Sequence, residues 1–135
     1  MAGVIMALTC AALIAGCGGT SDTEKVEQTV ESYLTALADG DGQTACDELS
    51  GDGQRDLIAM ANSQLPEFGT LDCAAVVEQL NGSMGPDEEA LLREAKITEV
   101  QIEGDIATAM IEGATVSPEL VRFDDRWLIS SGFGG

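Results

Sequence analysis

The sequence contains no histidine, only six basic residues against 24 acidic ones, and few aromatic side chains among its 135 residues. Without histidine, the chain lacks both the commonest metal ligand and the commonest general base. The net charge of −18 repels nucleic acid and anionic lipid headgroups, so we expect no nucleic-acid partner. Because aromatic side chains are few, leucine, isoleucine and valine must supply most of the core.

Charge is also absent from residues 1–16, which consist mainly of alanine, isoleucine, leucine and methionine. Such a stretch fits the apolar middle of an export signal. It is shorter than the roughly 20 apolar residues that a membrane-spanning helix needs. Because no lysine or arginine precedes it, we expect the true start of translation to lie upstream of Met1. The alternative is a buried N-terminal helix of a cytosolic protein.

The residues just before Cys17 are an aliphatic one and two small ones, namely Ile14, Ala15 and Gly16. This pattern resembles the lipobox of diacylglyceryl-modified bacterial lipoproteins, in which the cysteine carries the lipid. We therefore expect the preceding stretch to be a signal peptide and residues 17–22 to be the lipidated cysteine with a short tether. The predicted location is the outer face of the cytoplasmic membrane, with the acyl chains on Cys17 as the contact to the bilayer.

Export accounts for two of the four cysteines, because Cys10 leaves with the signal and Cys17 takes the lipid. Cys46 and Cys73 remain as an even pair outside the cytoplasm, where disulfides persist. A bridge between them would close a loop of 28 residues and stabilise the fold by about 3.6 kcal/mol. A metal pair or a redox pair fits less well, because there is no histidine, no further thiol and no CxxC spacing.

Helical signals fill the first part of the chain and strand signals fill the last. Ser21 and Glu24 have the form of a capping box, and Pro86 is placed as in the first turn of a short helix. From Lys96 onward, apolar and polar residues alternate, with a turn signal at Gly104. The predicted helices are Ser21–Asp39, Gln43–Leu49, Asp52–Asn62, Asp72–Leu80 and one from Pro86; the predicted strands begin at Lys96 and cover Ile106–Ile111, Glu119–Phe123 and Arg126–Ser130. This order predicts an α+β fold, with N-terminal helices packed on an antiparallel sheet of about four strands.

The order and spacing of these segments carry a family resemblance. The matching features are a helix with Tyr33 that ends at Gly40, the later cysteine pair, the Gly104–Thr108 hairpin and the Arg122–Ile129 segment. Together they resemble the nuclear transport factor 2-like superfamily, and most of all its small exported actinobacterial lipoproteins. The resemblance implies one domain at residues 23–131 followed by a tail at 132–135. It also implies a cone, in which a curved sheet wraps on helices around a pocket.

Catalytic members of that superfamily place acids, histidines or tyrosines inside the pocket. This chain offers one tyrosine, Tyr33, and no acid that the pattern points inward. We therefore predict a non-catalytic protein with no cofactor and no metal site, which binds a small apolar ligand in the cone. The residues predicted to line the pocket are Tyr33, Leu37, Val100 and Met110.

Two alternatives remain open: a protein-docking accessory module of the cell envelope, and an isomerase- or cyclase-like enzyme. A ligand carrier should contain an enclosed apolar cavity of some 300 Å³. A docking module should instead have a filled interior and expose an apolar patch of several hundred Å². The enzyme needs an acid or Tyr33 buried in an open pocket. The resemblance further implies that a homodimer could form through the open face of the sheet.

Overall fold

The computed structural model of the chain describes residues 21–64 and 71–132. The predicted signal peptide, Cys17 and residues 133–135 of the predicted tail lie outside the described residues. Within the described residues, the helices precede the strands. The elements are α1 (Asp22–Asp39), α2 (Gly42–Asp47), α3 (Gly51–Gln64), α4 (Cys73–Ser83), α5 (Pro86–Arg93), β1 (Ile97–Glu103), β2 (Ile106–Ile111), β3 (Glu119–Phe123) and β4 (Arg126–Ser131).

Helix α1 begins and ends at the residues that the local signals predict. The Ser21 hydroxyl accepts a hydrogen bond from the Glu24 backbone N–H, and the Glu24 carboxylate accepts one from the Ser21 N–H. The predicted capping box is therefore confirmed. The helix ends at Gly40, whose φ of 71° lies in the left-handed region that glycine adopts without a Cβ clash.

Cys46 and Cys73 join α2 to α4. Their sulfurs are at bonding distance, and their Cα atoms lie 6.1 Å apart. Both side chains are buried in the core. The two helices approach closely here, because a Cβ added to Gly42 would overlap the backbone of Ala74. The bridge therefore fixes a tight helix pair.

Helix α4 runs past its predicted end at Leu80 and continues to Ser83. Asn81, the residue after the predicted end, lies in the last turn of the helix. Its side-chain amide donates to the backbone carbonyls of Leu37 and Ala38, at 3.2 and 2.8 Å. These carbonyls belong to the last turn of α1, where backbone acceptors lack the N–H groups of a continuing helix; that of Leu37 also accepts from the Gly40 N–H at 3.3 Å. Asn81 thus caps a different helix instead of ending its own.

The four strands form one sheet in the order β1-β2-β3-β4, with each neighbouring pair antiparallel. Two-residue turns join β1 to β2 and β3 to β4, and Gly104 (φ 61°) and Asp124 (φ 55°) adopt left-handed conformations in them. The predicted α+β class, with helices and a four-stranded antiparallel sheet, is confirmed at this level.

One face of the sheet, here called the inner face, packs on the helices. Its fully buried residues, each at most 1% exposed, are Ala107, Ala109, Leu120, Trp127 and Ile129. The backbone carbonyl of Trp127 accepts a hydrogen bond from the Thr29 hydroxyl of α1 at 2.9 Å. Its indole N–H donates to the Asp22 carboxylate, also on α1, at 3.3 Å. Helix α1 is therefore hydrogen-bonded to β4 at two points.

The segment between α2 and α3 covers the edge of β4 that has no neighbouring strand in the sheet. Leu49 forms a parallel bridge with Ile129, and the Ser50 N–H donates to the Ile129 carbonyl at 2.8 Å. Helix α3 then passes so close that a Cβ on Gly53 would overlap that carbonyl oxygen. An edge strand that is covered in this way is protected from pairing with another chain.

Candidate functional site

The structure separates the four residues that the sequence predicts to line a pocket. Tyr33 and Leu37 lie one turn apart on α1, and both are buried. Val100 pairs with Ala109, so both face the helices. Met110 follows Ala109 and therefore projects to the opposite face of the sheet, where it is 43% exposed. Val100 and Met110 cannot line one cavity, so the predicted set of four does not form a common pocket.

Tyr33 does line a cavity, but this cavity holds about 20 Å³, which is room for one water molecule. Its walls include Leu49, Gly53, Asp56, Leu57 and Ile129. Burial raises the pKa of the Tyr33 hydroxyl well above its ordinary value of 10, so the group is neutral at physiological pH. A cavity of this size is far smaller than the several hundred Å³ of an ordinary ligand site. The protein's own side chains therefore fill the space around Tyr33.

A larger hollow, of about 740 Å³, opens to solvent between α5 and the connection from β2 to β3. We call it the groove. Its apolar lining consists of Leu34, Leu91, Leu92, Ala95, Ile111, Ala114 and Val116, and Glu94, Lys96 and Glu112 also line it. Leu91 is 70% exposed, so part of this apolar lining lies open to water.

The outer face of the sheet carries a row of apolar side chains. Ile106, Val121 and Leu128 lie directly opposite one another across β2, β3 and β4, and Phe123 projects to the same face from the end of β3. We call these four residues the outer strip. Ile106 is 49% exposed and Phe123 is 68% exposed, while Val121 and Leu128 are half-buried. The helices pack on the other face, so the outer strip faces away from them.

Sequence reasoning did not nominate the outer strip. The signal that could have found it is the pairing of strands around the two short turns, which sets the face of every residue. Once Trp127 is assigned to the core, Leu128 must point the other way. Because Leu128 pairs with Val121, and Val121 with Ile106, all three then belong to the outer face.

Acidic side chains border the outer strip. Glu103 lies directly opposite Ile106, at the β1 end of the strip. Glu99 and Glu119 point to the same face, since they pair with Met110 and Thr108. The two turns beside the strip add the exposed acids Asp105, Asp124 and Asp125.

Both arginines of the β3–β4 hairpin turn away from the outer face. The guanidinium of Arg122 lies 2.6 Å from the Asp22 carboxylate and 4.9 Å from the centre of the Trp127 ring, on the inner side. Arg126 pairs with Phe123 in the hairpin, but its guanidinium donates to the Asp47 carbonyl at 3.2 Å, beyond the edge of β4. The other four basic residues, all of them described, are Lys25 on α1, Arg55 on α3, Arg93 on α5 and Lys96 at the groove. The outer face, as far as it is described, therefore carries acids and no base.

Other polar groups in the described residues have structural roles. The hydroxyl and the backbone N–H of Thr44 donate to Asp41, and these bonds hold the pKa of Asp41 below its ordinary value at the start of α2.

Within residues 21–64 and 71–132, no three potential metal-ligating side chains cluster so as to hold an ion. None of the described helices has the length and apolar composition that a bilayer crossing requires.

No protein-family model, curated protein or solved structure matches this chain. The geometry and charge of the described residues are therefore the basis for a functional proposal.

Proposed function

We propose that this protein is a non-catalytic docking module of the cell envelope, held on the outer face of the cytoplasmic membrane by acyl chains on Cys17. In this proposal its fold is the cone of the nuclear transport factor 2-like superfamily, and it binds another envelope protein through the outer strip. The observation that carries the proposal is a contrast: the largest side chains of the inner face are fully buried, whereas the outer strip exposes Ile106 and Phe123 to water.

The contrast favours docking because the exposed apolar residues are aligned. Single apolar side chains on a surface are ordinary, but a contiguous apolar patch with a polar rim is typical of a protein interaction site. Ile106, Val121 and Leu128 form such a patch across three strands. The cavity at Tyr33, by comparison, has no room for an organic ligand.

The anchor would hold the outer strip near the membrane. A tether of four residues after Cys17 reaches at most about 14 Å before α1 begins. The first residue of α1, Asp22, bonds to Arg122, whose backbone N–H donates to Asp105 in the turn between β1 and β2 at 2.8 Å. Ile106 and Phe123 adjoin the two turns. In the proposed arrangement the outer strip lies at the tethered end, within reach of the extracytoplasmic part of a membrane protein.

The groove supports a second candidate function, the binding of a small apolar ligand. Its volume of about 740 Å³ lies within the range of ligand sites, and most of its lining is apolar. Leu34 in the groove is 12 residues along α1 from Asp22, which corresponds to about 18 Å of helix. A ligand in the groove would therefore be held away from the anchored end.

Two matched variants distinguish the candidates. The lipidated protein is purified from its own envelope in mild detergent and examined by native mass spectrometry, as wild type, Ile106→Asp and Leu91→Asp. Docking through the outer strip predicts a protein that co-purifies with wild type and Leu91→Asp but not with Ile106→Asp. Ligand binding predicts a small extra mass that only Leu91→Asp loses. A wild-type protein that carries neither would refute both candidates.

The anchor is tested separately. Cys17→Ser should abolish palmitate labelling and move the protein out of the membrane fraction, because the acyl chains supply the hydrophobic attachment. Unchanged labelling of this variant would refute the lipobox interpretation. An alanine substitution at Cys10 serves as the control, since that residue precedes the expected cleavage site.

A further inference from the structure

We infer that the partner of the outer strip presents an apolar strip of its own, bordered by lysine and arginine side chains. The inference rests on the proposed docking function and adds to it the charge of the partner.

Of the acids around the outer strip, Asp105 takes part in an ion pair of the described residues, at 3.7 Å from Arg122. The other ion pairs engage acids away from the strip, which are Asp22, Asp39, Glu48 and Asp52. Glu99, Glu103 and Glu119 therefore offer carboxylates that no basic side chain pairs with in the described residues; that of Glu99 accepts a hydrogen bond from the Gln101 amide at 3.2 Å. A partner with basic groups at matching positions would pair with them at the rim while the apolar centres exclude water.

The hairpin places its own bases elsewhere. Arg126 projects from the strand residue opposite Phe123, beside the acids of the turn. Instead it extends beyond β4 to the carbonyl of Asp47 and lies 4.0 Å from Glu48. Arg122 is held between Asp22 and the Trp127 ring. Within the described residues, the outer face is thus left with negative charge only. This charge would attract a basic surface before the two come into contact.

The same charges argue against a second copy of this chain as the occupant. A twofold interface through the outer strip would bring the same patch of both copies together. Glu99, Glu103 and Glu119 of one copy would then approach the corresponding acids of the other. Like charges opposed in an interface disfavour that pairing. An anionic bilayer is disfavoured for the same reason.

The probe for the test is a synthetic amphipathic helix with leucine on one face and lysine on both flanks. It is titrated, with a fluorescent label, into the lipidated protein in nanodiscs of phosphatidylcholine, and empty nanodiscs give the blank. The control peptide has glutamate in place of every lysine. We expect the lysine peptide to bind more tightly than the glutamate peptide, and to weaken as salt is raised.

Two charge variants separate a local effect from the effect of net charge. In the first, Glu99, Glu103 and Glu119 become glutamine. In the second, the helix acids Glu27, Glu31 and Glu78 become glutamine, so that the net charge changes equally. We expect the first variant to bind the lysine peptide about tenfold more weakly, from the loss of three exposed ion pairs, and the second to bind nearly as wild type. Ile106→Asp should also weaken binding to the lysine peptide, because it interrupts the apolar centre.

Each outcome decides the inference. An equal loss in both triple variants would show that only net charge attracts the peptide, and would overturn it. The inference would also be overturned if the glutamate peptide bound as tightly as the lysine peptide, or if the protein formed a dimer through the outer strip. In those cases the loss of a co-purifying protein from Ile106→Asp would still support docking, so a failure of the charge inference is distinguishable from a failure of the proposed function.

Discussion

The two faces of the sheet are built from the same strands, yet they differ in how far their apolar side chains are buried and in the charge of the side chains around them. The inner face buries Trp127, Leu120 and Ile129 almost completely against the helices. The outer face aligns the outer strip between acids and leaves Ile106 and Phe123 exposed. Because side chains alternate along a strand, the same strands supply a buried core on one side and an exposed apolar strip on the other.

The β3–β4 hairpin shows the division over a few residues. Phe123 and Trp127 are aromatic residues on either side of one turn, and they point to opposite faces. Trp127 is 1% exposed and hydrogen-bonded to α1, whereas Phe123 is 68% exposed. Stability is therefore expected to depend on the inner face and recognition on the outer one, which can be tested variant by variant.

The largest difference should come from truncating these two aromatic residues. Trp127→Ala removes the largest fully buried side chain, so the free energy of unfolding should fall by about 3–5 kcal/mol. Phe123→Ala should change it by no more than about 0.5 kcal/mol, because the ring is mostly in water. Urea unfolding followed by circular dichroism measures both. Equal losses would mean that the outer face is also a packed interface.

The disulfide belongs to the helical layer that covers the inner face. Replacing Cys46 and Cys73 together by alanine should lower the free energy of unfolding by about 3.6 kcal/mol, since the unfolded chain regains the freedom of the open loop. A reducing agent should destabilise the wild type by a similar amount and leave the double variant unchanged. A wild-type protein that is insensitive to reduction would show that the bridge contributes little.

Alkaline pH tests the burial of Tyr33 on the inner side. Its pKa is raised in the folded protein by desolvation, so above pH 10 the unfolded chain loses a proton that the folded protein keeps. Below pH 10, Tyr33 is neutral in both states and its contribution to the free energy of unfolding is fully present. Above pH 10 that free energy falls as pH rises, by up to about 1.4 kcal/mol per pH unit. Tyr33→Phe should remove this dependence between pH 10 and about 11. A slope that persists in the variant would assign it to other groups.

Much of the fold could be predicted because its signals are local. Ser21 with Glu24, Gly40 and Pro86 act through their own backbone neighbours, and they set helix boundaries close to those observed. Asn81 could not be predicted in the same way. Its amide caps α1, a contact across more than 40 residues of chain that no local pattern encodes.

The four residues predicted to line a pocket are separated for a related reason. In β2 the large residues Ile106 and Met110 look like the core set, but Ala107 and Ala109 are the ones that face the helices. Small side chains there accompany contact between the sheet and α1, and this is a property of the packed layers. The outer strip, which consists largely of large residues that do not face the helices, follows only once that choice of face is known.

The smallest effect provides the most direct test of whether the outer face is free. Val121→Thr and Val77→Thr exchange a methyl for a hydroxyl with little change in volume, one on the outer strip and one on α4 where the side chain is fully buried. Val77→Thr should lower the free energy of unfolding by about 1–3 kcal/mol, because it places a hydroxyl in an apolar site that has been packed around a methyl group. Val121→Thr should cost less than about 0.5 kcal/mol, since water can reach the hydroxyl and threonine suits a strand. Urea midpoints of the two variants at several protein concentrations give the comparison. If Val121→Thr instead cost as much as Val77→Thr, and more so at high concentration, a second copy would already cover the strip.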